Sequence, residues 1–524
     1  MSKRVIMKIS YAFLRDKNKI SHCVFFLIAS IWIVKMLKAC ITEAHKINLG
    51  YFTNLDLWFS LILWSGVYGL MFLMGAGIRR LLPAYKLSAS FYMIVLLLSG
   101  YFSLLIAILC GLKAETLFLQ LFYGAVGVTV VFFLSKKKSL SAPPALRSGS
   151  FWQSAVLWAL IILWFVQTLL LFLGHNFRPD RAPFADEGTF WVPAAQSMLA
   201  NSVAQAHLAH YAGGGLHPFG VPFMSALPGL LVRSRSLQGV YFMPLISIVL
   251  MGAFLCTIRS RPWVLLFFIS MLFYVFNDNH SWVGSLMYQL TYGDGLTAVF
   301  FLIVYTEILN NTDGLMLKRF ISSRHIFVIG AILSMGIGLL ALTKSPLAST
   351  FLVLLLLLIP LITARSSSWG MMVLRGVLFV MIALIPLVLW RVFDAKYMSA
   401  TTTPIPHISY FADRMMAPNT DMLLRITKYF LVQVKRSIYT FGLSLGLIIL
   451  AAQRSLWYKA MPMLTILFFI TGYYAYFYFY GRPGQGDHES ALRYAMLVLP
   501  AVFYSGAESF EYIFFGRQKD VEHE

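Results

Sequence analysis

Long apolar runs alternate with short, mostly basic connections along this chain, and that rhythm predicts a bundle of membrane-spanning helices. A helix needs about 20 apolar residues to cross the hydrocarbon core. Such runs are expected near 20–40, 56–77, 88–110, 117–134 and 152–174. More follow near 239–257, 262–277, 292–309, 325–343, 347–363, 371–390, 437–452, 460–479 and 493–515, about fourteen in all. The expected fold class is all-α, a polytopic transmembrane bundle. One stretch, 178–236, breaks the rhythm, being the longest without a clear spanning run. Within it, Pro193 suits the first turn of a short helix reaching about Asn201. The segment 218–232 (PFGVPFMSALPGLLV) is apolar but short and interrupted by prolines, so a re-entrant or interfacial segment is expected there, not a span.

Composition strengthens this picture. Of 524 residues, 59% are hydrophobic and only 12% are charged, which leaves little room for a separate soluble domain. A net charge of +21 would suit nucleic acid in a soluble protein. In a membrane protein, Lys and Arg collect in cytoplasmic loops and meet anionic lipid, so nucleic acid is not an expected partner. With the N-terminus in the cytoplasm, the cytoplasmic connections carry Arg79, Arg80 and Lys86, then 136–138 (three Lys) with Arg147. Next come Arg259 with Arg261, Lys318 and Arg319 with Arg324, Arg365, Arg454, and the tail Arg517 and Lys519. Every one is basic, as the positive-inside rule asks. Both termini are therefore expected inside, with 178–236, 277–295, 344–346, 391–436 and 480–490 outside. Lys35 and Lys38, near the outer end of the first span, must snorkel.

The basic N-terminus leads into an apolar run without a small-residue cleavage site, so a retained first span is expected. Cys23, Cys40, Cys110 and Cys256 lie in or beside apolar runs and form no CxxC pair, which points to packing residues. The polar patch 139–150 (SLSAPPALRSGS) separates two expected units. Residues 1–150 form an N-terminal unit of about four spans with its cytoplasmic linker. Residues 151–524 form a larger unit with the outer loop 176–236.

The outer segments hold the candidate chemistry. Asp186 and Glu187 are adjacent carboxylates among aromatics and can serve as a general base or a metal ligand. The plainer alternative is that they cap the helix near Pro193 or pair with Arg178 or Arg181. His207, His210, His217, His280, His407 and His488 are all expected outside, but no pair has HExxH-like spacing. His207 and His210 share one helical face without an evident ligand partner. No metal-ligand set is assigned. Cations cluster at Arg391, Lys396, Arg414, Arg425, Lys428, Lys435 and Arg436. Around them, 420–434 reads as an interfacial amphipathic helix, able to gather anionic substrates or to rest on anionic headgroups. The aromatic run 473–480 (YYAYFYFY) fits an interface belt.

Three stretches in order carry a resemblance: ADEGTFW (185–191), LHPFGVPF (216–223) and HESALRYAMLVLP (488–500). A span, an acid soon after it in the first large outer loop and a Pro-rich segment beyond resemble the GT-C superfamily of integral-membrane glycosyltransferases. Those enzymes use polyprenyl-phosphate-linked donors. ADEGTFW is similar to the acidic motif of protein O-mannosyltransferases and of bacterial surface-glycan transferases. The resemblance covers roughly residues 152 to 500. It implies a GT-C-like fold and inverting transfer at the periplasmic face of a bacterial inner membrane. Asp186 or Glu187 would act as base on an acceptor hydroxyl. Arg493, Arg482 and Lys344 would hold the charge of the departing polyprenyl phosphate. Tyr494, His217, His488 and Trp191 complete the implied substrate-binding set. The implied partners are the lipid-linked donor, a glycan or lipid acceptor, and membrane lipids. Some superfamily members use a divalent cation.

Two rival classes make different demands. An O-antigen polymerase or ligase would lean on outer arginines and a histidine rather than on an acid. A transporter of lipid-linked sugars would show repeated halves and ionisable groups near the bilayer midplane, and the sequence displays neither.

Overall fold

A computed structural model describes residues 3–85, 87–136, 151–183, 187–209, 218–234, 236–276, 293–317, 322–343, 354–363, 368–397, 420–421, 424 and 498–515. Among the described residues the architecture is helical and contains no strand. Helices α1 (Lys3–Lys46), α2 (Leu55–Leu81), α3 (Ala89–Leu109), α4 (Glu115–Lys136) and α5 (Phe151–Asn176) come first. A π-helical turn (Glu187–Trp191), α6 (Val192–Ala200), α7 (Val203–Ala209) and α8 (Gly220–Val232) fill the expected outer loop. Then follow a 3-10 turn (Gln238–Phe242), α9 (Pro244–Ile258), α10 (Pro262–Phe276), α11 (Asp294–Leu317) and α12 (Ser323–Leu340). The last described helices are α13 (Ile359–Thr363), α14 (Trp369–Tyr397) and α15 (Leu499–Phe515).

Eight helical stretches among the described residues are long and apolar enough to cross a membrane. They are Ser21–Lys46, Leu55–Leu81, Ala89–Leu109, Glu115–Ser135, Phe151–Asn176, Gln238–Ile258, Ser323–Leu340 and Trp369–Tyr397. The chain is thus a helical, multi-pass membrane protein. The fourteen-span expectation is met only in part: 437–452 and 460–479 lie outside the described residues, as do the first residues of 347–363 and 493–515. The first span runs beyond its expected end near 40 to Lys46, where Lys46 Nζ pairs with Glu43 at 2.7 Å. Lys35 lies over the Trp32 ring, its Nζ 4.9 Å from the centroid. Only Cys40 is buried. Cys23, Cys110 and Cys256 are exposed, so the expectation that all four are packing residues fails for three of them.

Local chemistry starts the helices where they start. The Asn54 side chain accepts from the Asp56 and Leu57 amides at the head of α2. Ser88 accepts from Phe91 N at 3.1 Å to begin α3, and Ser322 accepts from His325 N at 3.2 Å to begin α12. Each side chain satisfies an amide that the first helical turn leaves without a partner.

The helix ends sort into two groups. At one end, Phe177 packs against Phe52 and Trp58, Lys396 Nζ donates to Leu109 O at 3.0 Å, and Gly220 N donates to Leu342 O at 3.2 Å. At the other, Tyr85 stacks on His325 at 5.0 Å and Ser88 N donates to Glu307 Oε1 at 3.0 Å. There too Arg261 pairs with Glu508 and with Glu511. The basic connections around Arg79, Arg261 and Arg324 belong to this second end. The 187–243 region belongs to the first. One continuous apolar core joins the helices on both sides of residue 150.

Candidate active site

The acidic motif ends in a π-helical turn, Glu187–Trp191, that feeds directly into α6. Pro193 occupies the first turn of α6, where its missing N–H costs nothing. The helix ends at Asn201, whose N–H bonds Ser197 O at 2.9 Å, as the sequence suggests. Phe190 meets Trp191 edge-on, with centroids 4.7 Å apart, and its ring lies 5.3 Å from that of Phe219. Trp191 is only 4% exposed, so its ring is packed into the core.

Helix α7 is capped by its own Ser202, whose Oγ accepts from Gln205 N at 3.0 Å, and by a second acceptor from another helix. The Glu115 carboxylate at the head of α4 accepts from Val203 N at 2.7 Å and from Ala204 N at 3.3 Å. Farther along, His207 is fully buried against Tyr101, Phe219, Trp390 and Phe393. Its Nδ1 lies 2.6 Å from Val203 O, and its Nε2 lies 3.0 Å from Tyr101 OH. A carbonyl can only accept, so Nδ1 carries the proton and Nε2 accepts from the Tyr101 hydroxyl. The hydroxyl oxygen in turn accepts from Phe219 N at 3.1 Å. With both ring nitrogens engaged, His207 has no lone pair free for a metal, which removes it from the outer histidines that could form a metal site. Burial among the rings pushes its pKa down to about 4. Among the described residues no group of three His, Cys, Asp or Glu side chains could hold a metal ion.

Helix α8 has 13 residues, about 20 Å of helix, too short to span. Gly220 through Leu230 are all buried, so the segment is enclosed by protein. Pro228 sits inside the helix and cannot donate to Met224 O; Tyr68 OH donates to that carbonyl instead, at 3.1 Å. Trp64 Nε1 donates to Ser225 O at 2.9 Å, and Gln120 Nε2 donates to Leu231 O at 2.7 Å in the last turn. At the other end of α8, Gly220 approaches Leu342 O so closely that a Cβ would overlap it. Gly293, at φ +74°, lies where a Cβ would overlap Val221.

These contacts bring four stretches together: the π-turn after the acid, the start of α8, the start of α11 with its buried Asp294, and Leu342–Thr343 at the end of α12. Beside them Arg181 places its guanidinium over Tyr241, 4.7 Å from the centroid, and donates from Nε to Asn176 Oδ1 at 3.4 Å. Arg178 is spent on the last turn of α5, donating from Nε to Gly174 O at 2.8 Å. The remaining sequence candidates fall outside the described residues: Asp186, His217, Lys344, Arg482, His488, Arg493, Tyr494 and the Glu187 side chain. So do the basic rim beyond Tyr397, apart from residues 420–421 and 424, and the aromatic run 473–480. Sequence reasoning did not single out Tyr101, Glu115 or Asn176. The one available signal was Pro228, whose missing amide demands a donor from elsewhere. No protein family, curated protein or solved structure matches the chain.

Proposed function

We propose that this chain is an inverting glycosyltransferase of a bacterial inner membrane. It moves a sugar from a polyprenyl-phosphate-linked donor to an acceptor hydroxyl at the periplasmic face. Asp186, or Glu187 beside it, takes the hydroxyl proton as the acceptor oxygen bonds the anomeric carbon from the face opposite the leaving group. The carbon–oxygen bond to the phosphate breaks with its electron pair on the phosphate, which departs as an anion and needs no proton. Lys344, Arg482 and Arg493 are the cations assigned to that charge.

One observation carries the reading. The flank of the acidic motif, the Pro-rich motif and the approach to Lys344 meet at one end of the bundle, through the Phe190–Phe219 contact and the Gly220–Leu342 hydrogen bond. A base, an acceptor pocket and a phosphate-holding cation must converge for the transfer to occur. Membrane topology alone would place these stretches at the same end; the two contacts add that they meet there.

The test is sugar transfer by purified protein in lipid, supplied with radiolabelled polyprenyl-phosphate sugars. Wild type is run beside Asp186→Asn, with monodispersity as the check on folding. Turnover in wild type that falls about 10²–10⁴-fold in a well-folded variant fits the base role. Equal turnover in both would remove Asp186 from the chemistry.

A further inference from the structure

The first four helices stand apart from the sequence resemblance, yet their side chains hold the stretch between α7 and the turn before α9. Ser60 Oγ meets Ser236 Oγ at 2.6 Å. Trp64, Tyr68 and Gln120 donate to α8 carbonyls. Glu115 caps α7, and Tyr101 bonds both His207 and Phe219 N. Four of the six reach only backbone atoms. A backbone held in this way keeps its position whatever its own side chains are doing.

We infer that α2–α4 form the positioning frame of the candidate site, with Glu115 and Tyr101 as its key positioning residues. Glu115 fixes the chain at Val203, Tyr101 fixes it at Phe219, and His207 ties the interval to α3 once more. Immediately beyond Phe219 the chain meets Leu342, past the end of α12. Tying α7 and the start of α8 to one scaffold sets their relative positions before any ligand arrives, which is the entropic part of preorganisation. Only the identity of what is positioned rests on the transferase reading. The frame itself does not.

Tyr123 supplies the control. It is a buried tyrosine of the same unit, and its hydroxyl donates to Leu97 O at 3.3 Å, within the unit itself. Tyr101→Phe and Tyr123→Phe each remove one buried hydroxyl, so a general loss of packing would affect both alike. Amide hydrogen exchange on the full chain in lipid nanodiscs reads the frame directly. We expect exchange at 203–209 and at Phe219 to rise about tenfold in Tyr101→Phe and to stay within about twofold of wild type in Tyr123→Phe. Glu115→Leu raises exchange at Val203 and Ala204, whereas Glu115→Gln, which keeps an acceptor oxygen, holds it near wild type. Unchanged exchange in Tyr101→Phe, or an equal rise in both tyrosine variants, overturns the frame. In the transfer assay, Tyr101→Phe lowers kcat about tenfold while KM for the donor stays within about twofold. An unchanged kcat alongside raised exchange overturns the positioning role. If wild type transfers nothing, the transferase reading fails, and exchange alone decides the frame.

Discussion

Protonating His207 breaks a closed chain of hydrogen bonds. In the folded protein Nδ1 donates to Val203 O, Nε2 accepts from Tyr101 OH, and the Tyr101 oxygen accepts from Phe219 N. A proton on Nε2 would face the hydroxyl proton, and the imidazolium would sit among Phe219, Trp390 and Phe393 with no water to solvate it. The folded state therefore holds the pKa of His207 at about 4 against an ordinary 6.5. The unfolded chain takes up the proton first as the pH falls. The stabilisation is complete above about pH 6.5 and is lost progressively towards pH 4, where the loss levels off. A gap of about 2.5 pH units at about 1.4 kcal/mol each gives about 3 kcal/mol. The assay is reversible unfolding in mixed micelles, titrated with a denaturing detergent between pH 7.5 and pH 4, for wild type and His207→Gln. Groups that titrate in both proteins cancel in the difference. Wild type should lose about 3 kcal/mol more than the variant over this range. Parallel curves agreeing within about 0.5 kcal/mol would refute the closed-chain argument.

Three further outcomes are expected. Gly220→Ala drives a Cβ into Leu342 O and should cost about 1–3 kcal/mol, read as a lower unfolding midpoint in the same micelles. Trp64→Phe leaves Ser225 O without its donor and should cost about 1–3 kcal/mol; an unchanged midpoint would mean that water replaces the indole. Cys110 is the exposed residue that ends α3, at the same end of the bundle as α7. A membrane-impermeant maleimide should label it from the periplasmic side of intact spheroplasts, and labelling only after permeabilisation would reverse the proposed orientation.

The spans were legible in the sequence because a long apolar run has few ways to hide its backbone in lipid. The start of α6 was legible from Pro193, and the two-ended sorting of connections was legible from their charge. Helix α8 was only half legible: hydropathy marks it as apolar and short, but lipid and protein interior look alike on that scale. The frame from α2–α4 was not legible. Tyr101 and His207 stand 106 residues apart, and each alone reads as an ordinary residue of an apolar helix or a polar loop. Glu115 reads as the polar edge of a span, yet its carboxylate serves an amide 88 residues later. Trp191 reads from the sequence as one aromatic of an acidic motif, and its burial beside Phe190 is visible only in the fold.

The hydrogen bonds from α2–α4 to α7 and α8 also have a direction in time. The chain leaves the ribosome from its N-terminus, so Trp64, Tyr68, Tyr101, Glu115 and Gln120 enter the membrane before the backbone they serve has been synthesised. Until residue 231 follows, those polar groups have no partner in α8, and the early bundle is a receptor awaiting its own later sequence. Helix α8 is too short to be recognised as a span on its own. One wall of its slot precedes it in synthesis, whereas the other, at Gly293 and Leu342, follows it, so α8 is held by the early helices first and enclosed only later.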